Sequence, residues 1–263
     1  MSTQAGKATA KEVPGGQMTL LDHLVELRKR LVRAALAVAV GAMIAWFLYQ
    51  PILNLLLGPL REAAPKGSDL ADRLLTLDPL EPFAVRIKIT TYAAIMFAMP
   101  MILWQLWRFI APGLYSNEKK YAVWFVACAS ALFVLGAGIA FWTVPKALEF
   151  LQSIGGEENF NQFYAPGKYL RLIVYMMLAF GVGFEFPILL VFLQLAGIVS
   201  TDKLREVRRY AIVGIAFLVA IVTPSADPIS MGALTVPMVL FYELSIVFGR
   251  VRNRRISRAA ASG

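Results

Sequence analysis

Three glutamates stand where a carboxylate is either costly or well placed to hold a cation. Glu185 lies within the apolar run LRLIVYMMLAFGVGFEFPILLVFLQL, residues 170–195. A carboxylate at the centre of a bilayer-spanning helix costs about 2.5–3.5 kcal/mol on insertion scales, so such groups usually face a partner or a wet cavity. Gly181 and Gly183 precede it and Pro187 follows. Proline has no N–H to give the Gly183 carbonyl, which predicts a bend beside the charge. One reading is a device that handles something polar inside the lipid. The other is a structural Glu, neutral or hydrogen-bonded to a Tyr or Gln of a neighbouring helix.

Glu26 belongs to TLLDHLVELRKRL, residues 19–31. Leu20, Leu24, Leu27 and Leu31 fall on one helical face, with Asp22, Glu26, Lys29, Arg30 and Arg33 largely opposite. Thr19 is placed to cap this helix, with Asp22 three residues on. Glu26 has two readings. It pairs with Arg30 at i,i+4, the favoured order, or it binds an outside cation. Glu118 lies in FIAPGLYSNEKKY, residues 109–121, where Pro112 and Gly113 break the chain and Ser116 can cap the next helix. A carboxylate in a first helical turn complements the macrodipole, so Glu118 also has a structural reading. Catalytic signatures are missing from the sequence: there is no phosphate-binding loop, no zinc-protease motif and no nucleophile elbow. The one histidine, His23, lies outside the spans, which argues against a metal cluster or a proton-relay histidine within the membrane. The single cysteine, Cys128, reads as a small packing residue. No cofactor is expected.

These groups must be positioned by helices in lipid. The chain has 263 residues, 58% of them hydrophobic, and a mean hydropathy of +0.63. Soluble domains run at about 45–50% apolar. The apolar runs predict an all-α polytopic membrane protein with six spans, near 31–50, 86–109, 121–144, 169–195, 210–223 and 229–248. The fifth is short and is read as half of a tight hairpin with the sixth, implying a locally thinned bilayer. Placing both termini inside assigns eighteen of the 26 Lys and Arg to the inner side, which favours N-in, C-in. Arg86 and Lys88 then sit at an outer helix end. The outer segments 51–83 and 145–168 contain LNLLLGPL and FLQSI and read as amphipathic caps. Residues 1–18 read as a disordered cytoplasmic N-terminus without a cleavable signal, 19–249 as one transmembrane domain, and 250–263 as a basic cytoplasmic tail. Orientation and anionic lipid account for that tail, RVRNRRISR at 250–258, without nucleic acid.

Three segments together carry a family resemblance: HLVELRKRL at 23–31, FIAPGLYSNEKK at 109–120 and GFEFP at 183–187. The chain resembles the TatC subunit of the twin-arginine protein translocase from residue 20 to about 250. The resemblance implies a concave, glove-like bundle of six transmembrane helices in the bacterial plasma membrane. It also implies a non-enzymatic receptor for twin-arginine signal peptides of folded cargo, exported at the expense of the proton gradient. On the matching positions, Glu26 and Glu118 would receive the arginine pair, with Arg28 and Phe109 in the same site. Pro59 of the first outer segment, Glu185, and Asp227 in the turn before span six match further positions that matter in the family. The local sequence TPSADP departs from the shorter Thr-Pro-Pro-Asp of some members. Implied partners are TatA- and TatB-type single-span subunits, further copies of the chain, and membrane lipids. The alternative is a proton-coupled transporter or channel using Glu185; against it, the halves show no repeat and no paired broken segments.

Overall fold

The computed structural model describes residues 20–63, 78–110, 122–155, 166–223 and 227–261. Among these the chain forms nine helices and no strand. They are α1 (Leu20–Phe47), α2 (Tyr49–Ala63), α3 (Glu81–Ile110), α4 (Ala122–Gly155), α5 (Pro166–Gly183), α6 (Phe186–Leu195), α7 (Thr201–Glu206), α8 (Arg208–Val222) and α9 (Pro228–Ala261).

Five crossings are long and apolar enough to span a bilayer: His23–Phe47, Glu81–Phe109, Val123–Ile154, Gly167–Leu195 across α5 and α6, and Pro228–Arg254. Helix α8 is the sixth. At 15 residues and ~1.5 Å per residue it is roughly 22 Å long, short of the ~30 Å hydrocarbon core. It is also thinly attached. Only Ile215 and Val219 are buried, while Tyr210, Val213, Phe217 and Ile221 are exposed. An ion pair from Arg208 to Glu243 of α9 ties down its start.

Small residues set the close packing, as expected where lipid supplies no hydrophobic drive between helices. Helix α1 lies along α3. A Cβ at Gly41 would come within 2.7 Å of the Ala94 carbonyl oxygen, so only glycine allows this approach. Gly136 of α4 plays the same part against the Phe180 carbonyl of α5. The core forms where α4, α5 and α9 meet, around Val144, Met176, Phe180, Phe184, Leu234 and Tyr242.

Several boundaries differ from those read in the sequence. Helix α1 runs from Leu20 into the first span without a break, as the sequence predicts, but ends at Phe47 rather than near 50. The third span was expected to end at 144, and 145–168 to begin a separate cap. Instead α4 runs through Pro145 to Gly155. Prolines are tolerated inside membrane helices when neighbours stabilise the freed backbone, and α3 likewise carries Pro100 in its interior. The sixth span continues as one helix through the basic segment to Ala261. Residues 1–18 lie outside the described residues.

The outer segment after span one does form an amphipathic cap. Leu56, Leu57, Pro59 and Leu60 of α2 are buried beneath it. The Tyr169 hydroxyl donates to the Leu56 carbonyl at 2.7 Å, fastening the cap to α5. The Gly167 N–H donates to Glu81 Oε1 at 3.1 Å, joining the starts of α3 and α5. Arg86, a cation at an outer helix end, stacks over Trp46 at 4.1 Å and faces Tyr49 at 5.1 Å. Aromatic faces stabilise a guanidinium there.

Candidate functional site

Helix α1 carries the inner carboxylate. Glu26 and Arg30 are one turn apart and their side chains meet. Arg30 Nε donates to Glu26 Oε1 at 3.1 Å, and Nη2 of the same guanidinium also reaches Oε1. The Arg30 and Glu26 side chains are only 14% and 20% exposed. Glu26 Oε2 and Arg30 Nη1 are enclosed and have no hydrogen-bond partner among the described residues. The i,i+4 pair foreseen from spacing therefore forms, and it leaves one carboxylate oxygen unused. Arg28, Lys29 and Arg33 are exposed on the same helix.

His23, one turn before Glu26, stacks on Phe109 with ring centroids 4.4 Å apart and 25° between planes. Phe109 is at the last turn of α3, where the chain enters 111–121. This contact brings the end of α3 to within one helical turn of Glu26 on α1. Glu118 lies outside the described residues, as do Thr19 and Ser116. The spacing of His23 and Glu26 on one face was visible in the sequence; the stacking partner 86 residues away was not.

Glu185 occupies the break between α5 and α6. The Glu185 N–H donates to Val182 at 3.0 Å, a tightened i,i−3 turn, and regular helix resumes at Phe186 with Pro187 in its first turn. Regular helix is thus interrupted at Phe184–Glu185, where Gly183 and Pro187 predict a bend. Neither carboxylate oxygen of Glu185 has a hydrogen-bond partner, and both are enclosed. The structural alternative of a Tyr or Gln partner therefore does not hold among the described residues. Glu185 lines a cavity of about 650 Å³ whose wall includes Tyr92, Trp107, Phe125, Phe192 and Met238. The Trp107 indole N–H is likewise buried, with no partner among the described residues. Among the described lining residues Glu185 is the only carboxylate.

Asp227 is 1% exposed and caps α9: its Oδ1 accepts from the Ser230 N–H at 2.7 Å, with Pro228 at the first helical position. Pro59 is buried in the α2 cap. One crossing separates Glu26 from Pro59 and five separate it from Asp227, so these two belong to the opposite end of the bundle.

A polar knot at the inner ends of α6, α7 and α9 escaped the sequence reading. Gln194 Nε2 donates to the Ser245 carbonyl at 3.1 Å, and Thr201 Oγ1 donates to Gln194 Oε1 at 3.1 Å. The Tyr242 hydroxyl donates to the Leu204 carbonyl at 2.7 Å, and Arg252 Nη1 to the Gln194 carbonyl at 3.2 Å. An amide in the otherwise apolar FPILLVFLQL was the available signal.

Comparison with known proteins agrees with this architecture. A family model for the Sec-independent protein translocase protein TatC matches residues 22–237. The TatC protein of Frankia casuarinae is 38% identical over 94% of this chain and 70% of its own length. That of Xylanimonas cellulosilytica is 35% identical over 99% of this chain and 96% of its own. That of Aquifex aeolicus is 36% identical over 90% and 97%. A crystal structure of the twin-arginine translocase receptor TatC superposes with a TM-score of 0.72 at 34% identity, covering 87% of this chain and 98% of that one. With its apolar crossings, the protein is a multi-pass protein of the bacterial inner membrane. It is a component of a Sec-independent protein translocase, and the chain belongs to the TatC family.

Proposed function

We propose that this chain is the receptor core of a twin-arginine translocase. It binds the signal peptides of folded cargo at the cytoplasmic face and organises TatA- and TatB-type single-span subunits for export driven by the proton gradient. Glu26 and Glu118 hold the two signal arginines, with Phe109 and Arg28 bordering the site. The stack of Phe109 on His23 supports this reading most directly, because it holds the end of α3, eight residues before Glu118 in the sequence, one helical turn from Glu26. The chemistry fits. Guanidinium is always charged and forks onto carboxylate oxygens, and Glu26 Oε2 is enclosed and has no partner among the described residues.

The remaining assignments follow from that frame. Residues 19–249 act as one transmembrane domain, with 1–18 and the basic segment 250–263 on the cytoplasmic side against anionic lipid. Glu185 offers a hydrogen-bonding group at mid-membrane to a polar residue of a partner helix. The protein performs no covalent chemistry and uses no cofactor. The test is capture of an Arg-Arg signal peptide by the purified protein, compared with a Lys-Lys peptide. Selective capture, with no uptake of small solutes into proteoliposomes, is expected. Solute uptake without capture would overturn the proposal.

A further inference from the structure

The geometry of α1 points to a second function for the Glu26–Arg30 pair. We propose that Arg30 is an internal occupant of the Glu26 carboxylate, which a signal arginine must displace in order to bind. The proposal rests on the reading of Glu26 as a receptor group and adds a competitor to it. The guanidinium of Arg30 makes with Oε1 the kind of contact that an incoming arginine would make. Both side chains are largely enclosed, so the contact is shielded from water. It is also incomplete: among the described residues Glu26 Oε2 and Arg30 Nη1 have no partners. An enclosed donor or acceptor left unmet is costly. A ligand that brings a fork to both oxygens, while Arg30 swings out to water, exchanges a half-satisfied pair for a fully satisfied one. A long arginine side chain on a helix surface can make that move by rotamer change alone.

Two consequences follow. The resting receptor keeps its carboxylate from being left as a lone enclosed charge, which would be strongly destabilising. The cost of displacing Arg30 is common to every ligand, so it lowers the affinity of all peptides by one factor. It acts as a threshold that weakly held cationic sequences fail to pass.

The experiment measures binding of Arg-Arg and Lys-Lys signal peptides to the purified full chain carrying Arg30→Gln, Arg30→Lys or Glu26→Gln. Arg30→Gln is expected to bind both peptides at least fivefold more tightly, because even an exposed pair is worth up to about 1 kcal/mol and this one is largely enclosed. Arg30→Lys keeps the charge but loses the fork, and falls between the wild type and Arg30→Gln. A gain in Arg30→Gln with none in Arg30→Lys would mean that overall positive charge, not occupancy of Glu26, weakens binding, and would overturn the proposal. Weaker or unchanged binding in Arg30→Gln, with binding lost in Glu26→Gln, would remove the competitor role alone. Full binding by Glu26→Gln would remove the receptor reading beneath it.

Discussion

Replacing Glu185 by leucine should make the protein more stable and stop it exporting. Both carboxylate oxygens are enclosed and neither has a partner among the described residues. Burying such a polar group without compensation costs about 1–3 kcal/mol on mutational scales. Leucine removes that cost, and the adjoining cavity of about 650 Å³ accommodates its shape. The variant should therefore gain about 1–3 kcal/mol, worth a rise of roughly 2–4 °C in melting temperature for each kcal/mol. Glu185→Gln keeps a polar group in the same surroundings, so it should melt near the wild type and retain much of its export. The assays are melting of the purified protein in detergent, followed by tryptophan fluorescence, and export of a folded reporter carrying a twin-arginine signal. Signal-peptide binding should be unchanged in both variants. Destabilisation by leucine would refute the description of an unpartnered carboxyl. A more stable Glu185→Leu that exports normally would show that the group is structural and has no part in transport.

Gln194→Leu should lose the bonds to Ser245 and Thr201. Interhelical bonds in membranes average about 0.6 kcal/mol each, so the melting temperature should drop by several degrees at most, and proteolysis should become faster near α7. His23→Ala removes the stack on Phe109, and should weaken signal-peptide binding about tenfold, the effect of about 1.4 kcal/mol, while leaving insertion intact. In a Cys128→Ser background, a cysteine at Ser225 should react with an impermeant reagent from outside the cell. Cysteines at Ser116 and Ser257 should not; outside labelling at Ser257 would mean that α8 does not cross.

How much of this was legible in the sequence depended on the range of the interaction. The helix carrying the leucine stripe around Glu26, the i,i+4 pair and the interruption before Pro187 are set by neighbours within a turn or two, and each is present. Pro145 misled because helix-breaking rules come from water. In lipid an unbonded carbonyl has no solvent to turn to, and α4 stays helical beyond it. The basic segment after 250 reads as a tail by charge, yet it has no Gly or Pro before Gly263 to end α9. Gln194 finds its partners seven and 51 residues away, and Phe109 meets His23 across two helices. Such contacts follow from which helices pack together, and periodicity within one helix carries no trace of them. The resemblance supplied the roles of Pro59 and Asp227, and for Asp227 the structure adds a local one, as the N-cap of α9.

The central claim is that Glu26 and Glu118 form one receptor site for paired arginines. It is tested most directly with a signal peptide carrying a photo-crosslinker beside its arginine pair, applied to inner-membrane vesicles. The account predicts crosslinks to α1 near Glu26 and to residues 111–121, both lost in the Glu26→Ala, Glu118→Ala double variant. Truncating one side of a buried charge pair costs roughly 2–5 kcal/mol, enough to empty the site at micromolar peptide. Undiminished crosslinking in the double variant, with the protein still inserted, would contradict the account.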